Sequence, residues 1–279
     1  MQSNVRLLEP PRQAGAFEAS AAVARKGLGA AFCSPSLVLA GVIHTLCQPL
    51  TRRWMFGAVI LDIPLQWGTH LDMTQGTAVT MGALDGFDFS ITTLALIGLY
   101  LGWLFTERAA GRPLRVIWNW PIVAYTLVVV ASVFVASNVQ LSLFQTVTIL
   151  QMLLVYIYAA GNIRSRDDVV FVLYMVLIGG LIESSYMLVL DVVGHDFPVI
   201  RALGFKTVSA QSYIPGEALR FGGTIGAANY AAAYLAIIIT LAVAIRQMQV
   251  PAYLRRLTIP VVVLATLALI PTLSSGGWL

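Results

Sequence analysis

The sequence predicts an all-α fold, a polytopic bundle of about eight transmembrane helices, from its composition and its long apolar runs. Of the 279 residues, 58% are hydrophobic and only 11% are charged, whereas soluble domains carry about 25% charged residues. A run of about 20 apolar residues, at a rise of about 1.5 Å each, crosses the roughly 30 Å hydrocarbon layer. The composition therefore argues against a soluble fold.

Eight intervals are candidate spans, of which the second is short. They are residues 28–50, 54–68, 88–105, 116–136, 139–160, 169–190, 226–246 and 257–273. The first two contain Pro35 and Pro64, so a broken or re-entrant segment is an alternative there, and the span count ranges from seven to nine. Residues 28–279 are thus predicted to form one transmembrane helical domain.

Residues 1–27 are predicted to be a disordered basic tail, since they mix polar and apolar residues and contain Pro10 and Pro11. The basic residues of this tail could contact anionic membrane lipid. A cleavable signal sequence is not evident.

Charge placement orients the predicted spans. Loops 51–53, 106–115, 161–168 and 246–256 together hold ten of the 17 Lys and Arg residues, and alternating spans place all four loops on one side. This side is cytoplasmic by the positive-inside rule. The net charge of +4 is therefore interpreted as a topology signal and not as a nucleic-acid surface. With eight full spans the basic tail would lie outside, against the same rule.

The cysteines and histidines predict neither a metal site nor a bound cofactor. Cys33 and Cys47 both lie in the first apolar interval, where they are interpreted as small core residues. His44 precedes Cys47 by three residues, and one such pair does not make a metal site. His195 stands beside Asp196 in the outer loop, where a solvated histidine is preferred over a general base.

The most informative stretch is LRFGGTIGAANYAAAYLAIII, in which Arg220 precedes Gly222, Gly223 and Gly226 and a span begins near Asn229. Glycines let a ligand approach the backbone closely, and the first amides of a helix attract anions. Arg220 adds a bidentate donor for phosphate. The alternative is a tight helix-packing turn with an interfacial arginine. The stretch lacks the GK[ST] ending of a nucleotide-binding loop.

Glu183 lies inside the sixth predicted span, where an ionisable side chain is a functional candidate by default. It could pair with Arg220 or line a polar cavity, or it could be a protonated carboxyl bonded to a neighbouring helix. A polar face on the fifth span, with Gln140, Thr148 and Gln151, is explained by hydrogen bonds between helices or by substrate contact.

RFGGTIGAAN, followed by two spans that end in PTLSSGG, resembles the O-antigen ligase and polymerase family, which includes exopolysaccharide polymerases. The family pattern reads R-x-x-G-T-x-x-N-P-N and later T-x-S-R-G. The positions that match are Arg220, Gly223, Thr224, Asn229, Thr272, Ser274 and Gly276. Ala228 replaces the usual proline, and Ser275 stands where the family commonly has arginine.

The resemblance implies a multi-pass bacterial inner-membrane enzyme with a glycosyltransferase C-like membrane core. Such an enzyme takes a glycan from an undecaprenyl diphosphate carrier and joins it to an acceptor glycan or lipid A core at the periplasmic face, in lipopolysaccharide or exopolysaccharide biosynthesis. It implies Arg220 as the catalytic and diphosphate-binding residue, with Gly222, Gly223 and Asn229 shaping the pocket. Glu183 joins them as a candidate for substrate binding, and no metal, cofactor or nucleic acid is expected.

Family members usually continue with further spans and a large periplasmic loop bearing a histidine and an arginine. The sequence is therefore expected to be the front part of a larger ligase or polymerase domain. Two alternatives stay open, namely a transporter or flippase component, supported by Glu183 and the polar face on the fifth span, and an inactive truncated member of the family.

Overall fold

The structure, a computed structural model, describes residues 35–65, 68–72, 86–114, 116–193, 220, 222–225 and 227–274. The chain divides into two units, Met1–Leu46 and Cys47–Leu279. The predicted basic tail, residues 1–27, lies outside the described residues.

The described residues form eight α-helices of 13 or more residues, and each overlaps one of the eight predicted intervals. They are α1 (Pro35–Cys47), α2 (Pro49–Leu65), α3 (Ile91–Ala109), α4 (Trp120–Ser132), α5 (Val139–Asn162), α6 (Arg166–Val193), α7 (Ala228–Gln247) and α8 (Ala252–Leu269). Short 3-10 turns occupy Val133–Val135, Gly223–Ile225 and Ile270–Thr272. The fold is therefore mostly helical, as predicted.

Four segments of the described chain are long and apolar enough to cross a membrane. They are Val139–Asn162, Arg166–Val192, Ala228–Gln247 and Ala252–Thr272. Their outward faces are apolar as well, since Leu143, Ile237 and Val263 are exposed, and exposed apolar surface of this kind is typical of contact with lipid. The chain is thus a helical membrane protein, while the count of eight spans and the glycosyltransferase C-like core remain predictions.

The first two predicted intervals, which set the range of seven to nine spans, contain two short helices. Helix α1 has 13 residues and α2 has 17, which correspond to about 20 and 25 Å at the rise of an α-helix. Both are shorter than the roughly 30 Å hydrocarbon layer. Gln48 separates them, since α1 ends at Cys47 and α2 begins at Pro49.

A two-stranded antiparallel sheet departs from the all-α prediction. Strand β1 (Gly68–Asp72) pairs with β2 (Gly86–Ser90), with Gly68 opposite Ser90 and Asp72 opposite Gly86. Each strand has five residues, too few for the periodicity of a strand to stand out among long apolar runs. Because β2 ends at Ser90, it leads directly into α3.

Side-chain caps fix the starts of three helices. At α6, the Asp168 N–H donates to Ser165 Oγ and the Ser165 N–H donates to Asp168 Oδ2, which is a reciprocal capping box. At α5, Asn138 Oδ1 accepts the Leu141 N–H. The start of α3 is capped from another helix, because Asp62 Oδ2 of α2 accepts both the N–H and the hydroxyl of Thr92.

Helix α6 packs against α2, α7 and α8. Glycines bring two of these helices close to α6. A Cβ at Gly180 of α6 would lie 2.6 Å from Ile238 Cγ2 of α7, and a Cβ at Gly57 of α2 would lie 3.0 Å from Met175 Cε of α6. Small buried residues also line the contact of α7 with α8, namely Ala231, Ala232, Ala265 and Ala268. This packing of small residues is typical of helices inside a membrane.

Three of the four basic loops meet at one end of the Cys47–Leu279 unit. Residues 51–53 were predicted as a loop but lie in the first turns of α2. From there Arg53 Nη2 donates to the Asp167 carbonyl at 2.9 Å, which joins α2 to the predicted loop 161–168. Arg166 Nη2 donates to the Gln249 carbonyl, which joins loop 161–168 to loop 246–256. We call this the basic end. The ends of α2, α6 and α8 that lead away from it, together with the start of α7, form the opposite end.

Candidate anion-binding site at the Arg220 turn

Arg220 joins two segments that are far apart in sequence, at the opposite end. Its Nε donates to the Thr272 carbonyl at 2.9 Å, and its Nη2 donates to Asn229 Oδ1 at 2.6 Å. Thr272 closes the 3-10 turn after α8, and Asn229 lies in the first turn of α7. Both segments carry residues that match the family motif, and the Arg220 side chain links the two segments. The half-buried Arg220 still has three N–H groups beyond these two bonds.

The start of α7 lies beside Arg220. Its N-cap residue, Ala227, makes no side-chain hydrogen bond, and the Ala227 carbonyl accepts the Tyr230 N–H, so the amides of Ala228 and Asn229 have no cap from Ala227. Such N–H groups, with the positive end of the helix dipole, form an anion-binding position. Arg220 and the start of α7 therefore present hydrogen-bond donors and positive charge from two sides.

Gly223 can only be glycine in this turn. Its φ is +60°, a left-handed conformation that L side chains rarely adopt. A Cβ here would also lie 2.1 Å from Glu183 Oε1 and 2.7 Å from Met187 Cγ. The neighbouring Gly222 is buried. Gly223 thus serves the close packing of the turn against α6.

Glu183 is fully buried in α6 and bonds to the glycine turn. Its Oε1 accepts the Thr224 N–H at 2.9 Å. The Arg220 guanidinium donates to Thr272 and Asn229 instead. Of the arrangements that the sequence left open, the structure places Glu183 as a carboxyl bonded to a neighbouring segment.

The Thr224 hydroxyl has two oxygen neighbours but one hydrogen. Thr224 Oγ1 lies 2.7 Å from the Pro64 carbonyl of α2 and also contacts Glu183 Oε2. A hydroxyl donates one hydrogen bond, and a carbonyl can only accept. Both contacts are satisfied together when Glu183 carries a proton and donates it to Oγ1 while Thr224 donates to Pro64. The network therefore fits a neutral Glu183.

The backbone amide that Glu183 occupies is not open to a ligand. The glycine turn was expected to let a ligand approach the backbone, yet the Thr224 N–H donates to Glu183. The donors that remain in this region are those of Arg220 and of the first turn of α7. Gly226, Ser275, Gly276 and His195 lie outside the described residues.

Asp62 is a buried acid that sequence analysis did not single out. It is 5% exposed, and it caps α3 through Thr92, 30 residues further along the chain. The signal was an acidic residue in the apolar interval VILDIPL, two residues before Pro64. The cap fixes α3 to α2, whose Pro64 carbonyl receives the Thr224 hydroxyl.

Groups of three His, Cys, Asp or Glu side chains able to hold a metal are not found among the described residues. Comparison with known proteins gives no match to a family model, to a curated protein or to a solved structure. The resemblance to the O-antigen ligase and polymerase family therefore remains a prediction from the motif residues.

Proposed function

We propose that this chain is the membrane part of a glycan ligase or polymerase that handles an undecaprenyl diphosphate-linked glycan at Arg220. The observation that carries the proposal is the hydrogen bond from Arg220 Nε to the Thr272 carbonyl. It supports the proposal because Arg220 and Thr272 come from the two motif segments, which are separated by 52 residues. The bacterial inner membrane, with this site at the periplasmic face, is part of the same proposal.

The role of Arg220 follows from its hydrogen bonds. Thr272 and Asn229 hold the guanidinium in one orientation, and the remaining N–H groups bind the diphosphate together with the first amides of α7. The acceptor hydroxyl passes its proton to water as its oxygen attacks the anomeric carbon, and the bond from that carbon to the diphosphate breaks. The diphosphate oxygen leaves with the electron pair. Arg220 then stabilises the negative charge that develops on it.

In this proposal Gly222, Gly223 and Glu183 position the site rather than bind the glycan. Gly223 allows the turn to approach α6, and Glu183 fixes the turn through Thr224. The turn leads directly into the start of α7 and into Asn229, which contacts Arg220. The positions of the hydrogen-bond donors of Arg220 and α7 thus depend on a buried hydrogen-bond network that forms without substrate.

The test is binding of undecaprenyl diphosphate to the purified chain, compared with undecaprenyl monophosphate. Arg220→Ala is expected to weaken diphosphate binding at least tenfold, which corresponds to about 1.4 kcal/mol. Arg220→Lys is expected to be weakened too, since an ammonium cannot replace the planar fork. Arg255→Ala is the matched control, because Arg255 is an exposed arginine of α8 at the basic end.

Glycan transfer provides the second readout, in a strain whose surface polysaccharide depends on this gene. Arg220→Ala is expected to abolish the polysaccharide while the protein level in the membrane stays unchanged. Normal polysaccharide in that strain, or diphosphate binding equal to that of the Arg255→Ala control, would overturn the proposal.

A further inference from the structure

A second candidate site lies at the basic end, far along the helices from Arg220. A cavity of about 220 Å³ opens between the start of α2, the end of α5 and the start of α6, and it is much larger than the roughly 30 Å³ that one water molecule occupies. Its polar lining comes from Arg52, Arg53, Tyr158, Asn162 and Asp168. Two arginines therefore face one cavity.

Arg52 lines this cavity, and its Nε is buried away from it. No acceptor for this Nε is found among the described residues. A buried polar group without a partner costs about 1 to 3 kcal/mol, and more when it is charged. Arg52 therefore brings to the cavity a positive charge that its Nε does not share with a neighbouring acceptor.

Arg53 is held in place by its neighbours. Its Nη2 donates to the Asp167 carbonyl at 2.9 Å, and its guanidinium carbon lies 4.6 Å from the centre of the Phe171 ring. Neither contact neutralises its positive charge, since one is to a carbonyl and the other is to an aromatic face. Arg53 therefore adds fixed positive charge to the cavity that Arg52 lines.

The acid in the cavity lining is engaged elsewhere. Asp168 Oδ2 accepts the N–H groups of Ser165 at 3.1 Å and Arg164 at 3.4 Å. Its hydrogen bonds thus go to the start of α6 rather than to either arginine. With two arginines and one aspartate, the cavity lining carries a net charge of +1.

We propose that this cavity binds a phosphate group, whose oxygens accept hydrogen bonds from the Arg52 guanidinium and balance the positive charge of both arginines. The planar guanidinium matches two phosphate oxygens, as in other arginine–phosphate pairs. The phosphate comes from an anionic phospholipid headgroup or from a soluble phosphate, and the two sources are separated by experiment.

The experiment titrates the purified full chain with short-chain phosphatidylglycerol, with short-chain phosphatidylcholine and with inorganic phosphate against chloride. Arg52→Gln is expected to weaken binding of the phosphate ligand about tenfold, as expected for the loss of a hydrogen bond to a charged group. Arg255→Gln removes an equal charge at the same end, outside the cavity, and is expected to change binding less than twofold. Tighter binding of phosphatidylglycerol than of inorganic phosphate identifies the lipid source, and the reverse order identifies the soluble one.

Arg52→Lys keeps the charge and most of the side-chain stem, and it serves where Arg52→Gln does not give a folded protein. It is expected to bind more weakly than wild type, because a point charge cannot engage two oxygens in the same plane. The proposal is overturned if neither phosphate ligand binds wild type, if Arg52→Lys binds as wild type does, or if Arg52→Gln and Arg255→Gln weaken binding equally. Arg220 is unchanged in all of these variants, so the diphosphate binding proposed for Arg220 is tested independently.

Discussion

The carboxyl group of Glu183 occupies the space that a side chain at Gly223 would need. A Cβ at Gly223 would lie 2.1 Å from Glu183 Oε1, and the φ of Gly223 is +60°. The glycine and the buried acid, on different segments of the chain, are therefore complementary in shape as well as joined through Thr224.

Gly223→Ala is expected to destabilise the protein strongly. The alanine meets both the strain of a left-handed residue, about 1 kcal/mol, and a steric clash that costs about 1 to 3 kcal/mol more. Gly111→Ala is the matched control, since Gly111 has a φ of +63° with nothing within 4 Å of its Cβ position. Thermal unfolding in detergent compares the two variants, and an equal loss in both would contradict the clash with Glu183.

Replacements of Glu183 test its hydrogen bonds. Glu183→Gln is expected to stay within about 1 kcal/mol of wild type, because the amide NH₂ can donate to Thr224 Oγ1 and the amide oxygen can accept the Thr224 N–H. Glu183→Ala leaves the buried Thr224 N–H and hydroxyl without this partner and is expected to cost about 2 to 4 kcal/mol. Unfolding measurements in which the glutamine variant is as unstable as the alanine variant would indicate an ionised Glu183.

The same glutamine variant separates the proposed function from the transporter alternative. A glycan ligase that uses Glu183 to fix the turn is expected to keep its activity in Glu183→Gln. A proton-coupled transporter needs the ionisable carboxyl, so proton-coupled uptake by Glu183→Gln as fast as by wild type would remove the support for that alternative.

Asn229 variants test how Arg220 is held. Asn229→Asp keeps an acceptor for Arg220 Nη2 but adds a negative charge beside the guanidinium, which offsets the attraction for a diphosphate. We expect undecaprenyl diphosphate affinity to fall about tenfold, or about 1.4 kcal/mol. Asn229→Ala removes the contact that orients Arg220 without adding a charge, and it is expected to weaken diphosphate binding less than Asn229→Asp does. Equal affinities for the two variants in a binding titration would argue against charge at this position.

Asp62 variants test the cap between α2 and α3. Asp62→Ala removes the acceptor for the Thr92 N–H and hydroxyl and is expected to cost about 1 to 3 kcal/mol. Asp62→Asn keeps one acceptor oxygen and is expected to cost less. The free energy of unfolding of the two variants provides the comparison, and a harmless Asp62→Ala would show that the cap contributes little.

The positions of the helices could be predicted because a membrane helix appears in the sequence as a long hydrophobic run. Each of the eight helices overlaps a predicted interval, and α5 begins at Val139, the residue at which its interval begins. The two strands could not be predicted, because GTHLD and GFDFS have only five residues each. The break at Gln48 lies inside the first predicted interval, where apolar residues continue on both sides.

The partners within the candidate site were harder to predict than its residues. Arg220 and Glu183 stood out as charged groups near or within apolar runs. Their partners did not, because Thr272 contributes a backbone carbonyl, which no side-chain pattern marks. Thr224, a motif residue, joins Glu183 to Pro64, and the Pro64 carbonyl lies 160 residues earlier in the chain. Contacts of this kind depend on helix packing rather than on local sequence.

The long separation between Glu183 and Thr224 has a consequence for biogenesis. A ribosome makes the chain from its N-terminus, so Glu183 emerges 41 residues before Thr224, the residue that satisfies it. Helix α6 is therefore made with an acidic side chain that still lacks its partner, and an ionisable side chain inside a membrane is costly until it is paired. Arrival of the glycine turn removes that cost, which makes the turn and the helix after it the step that commits α6 to its final place in the membrane.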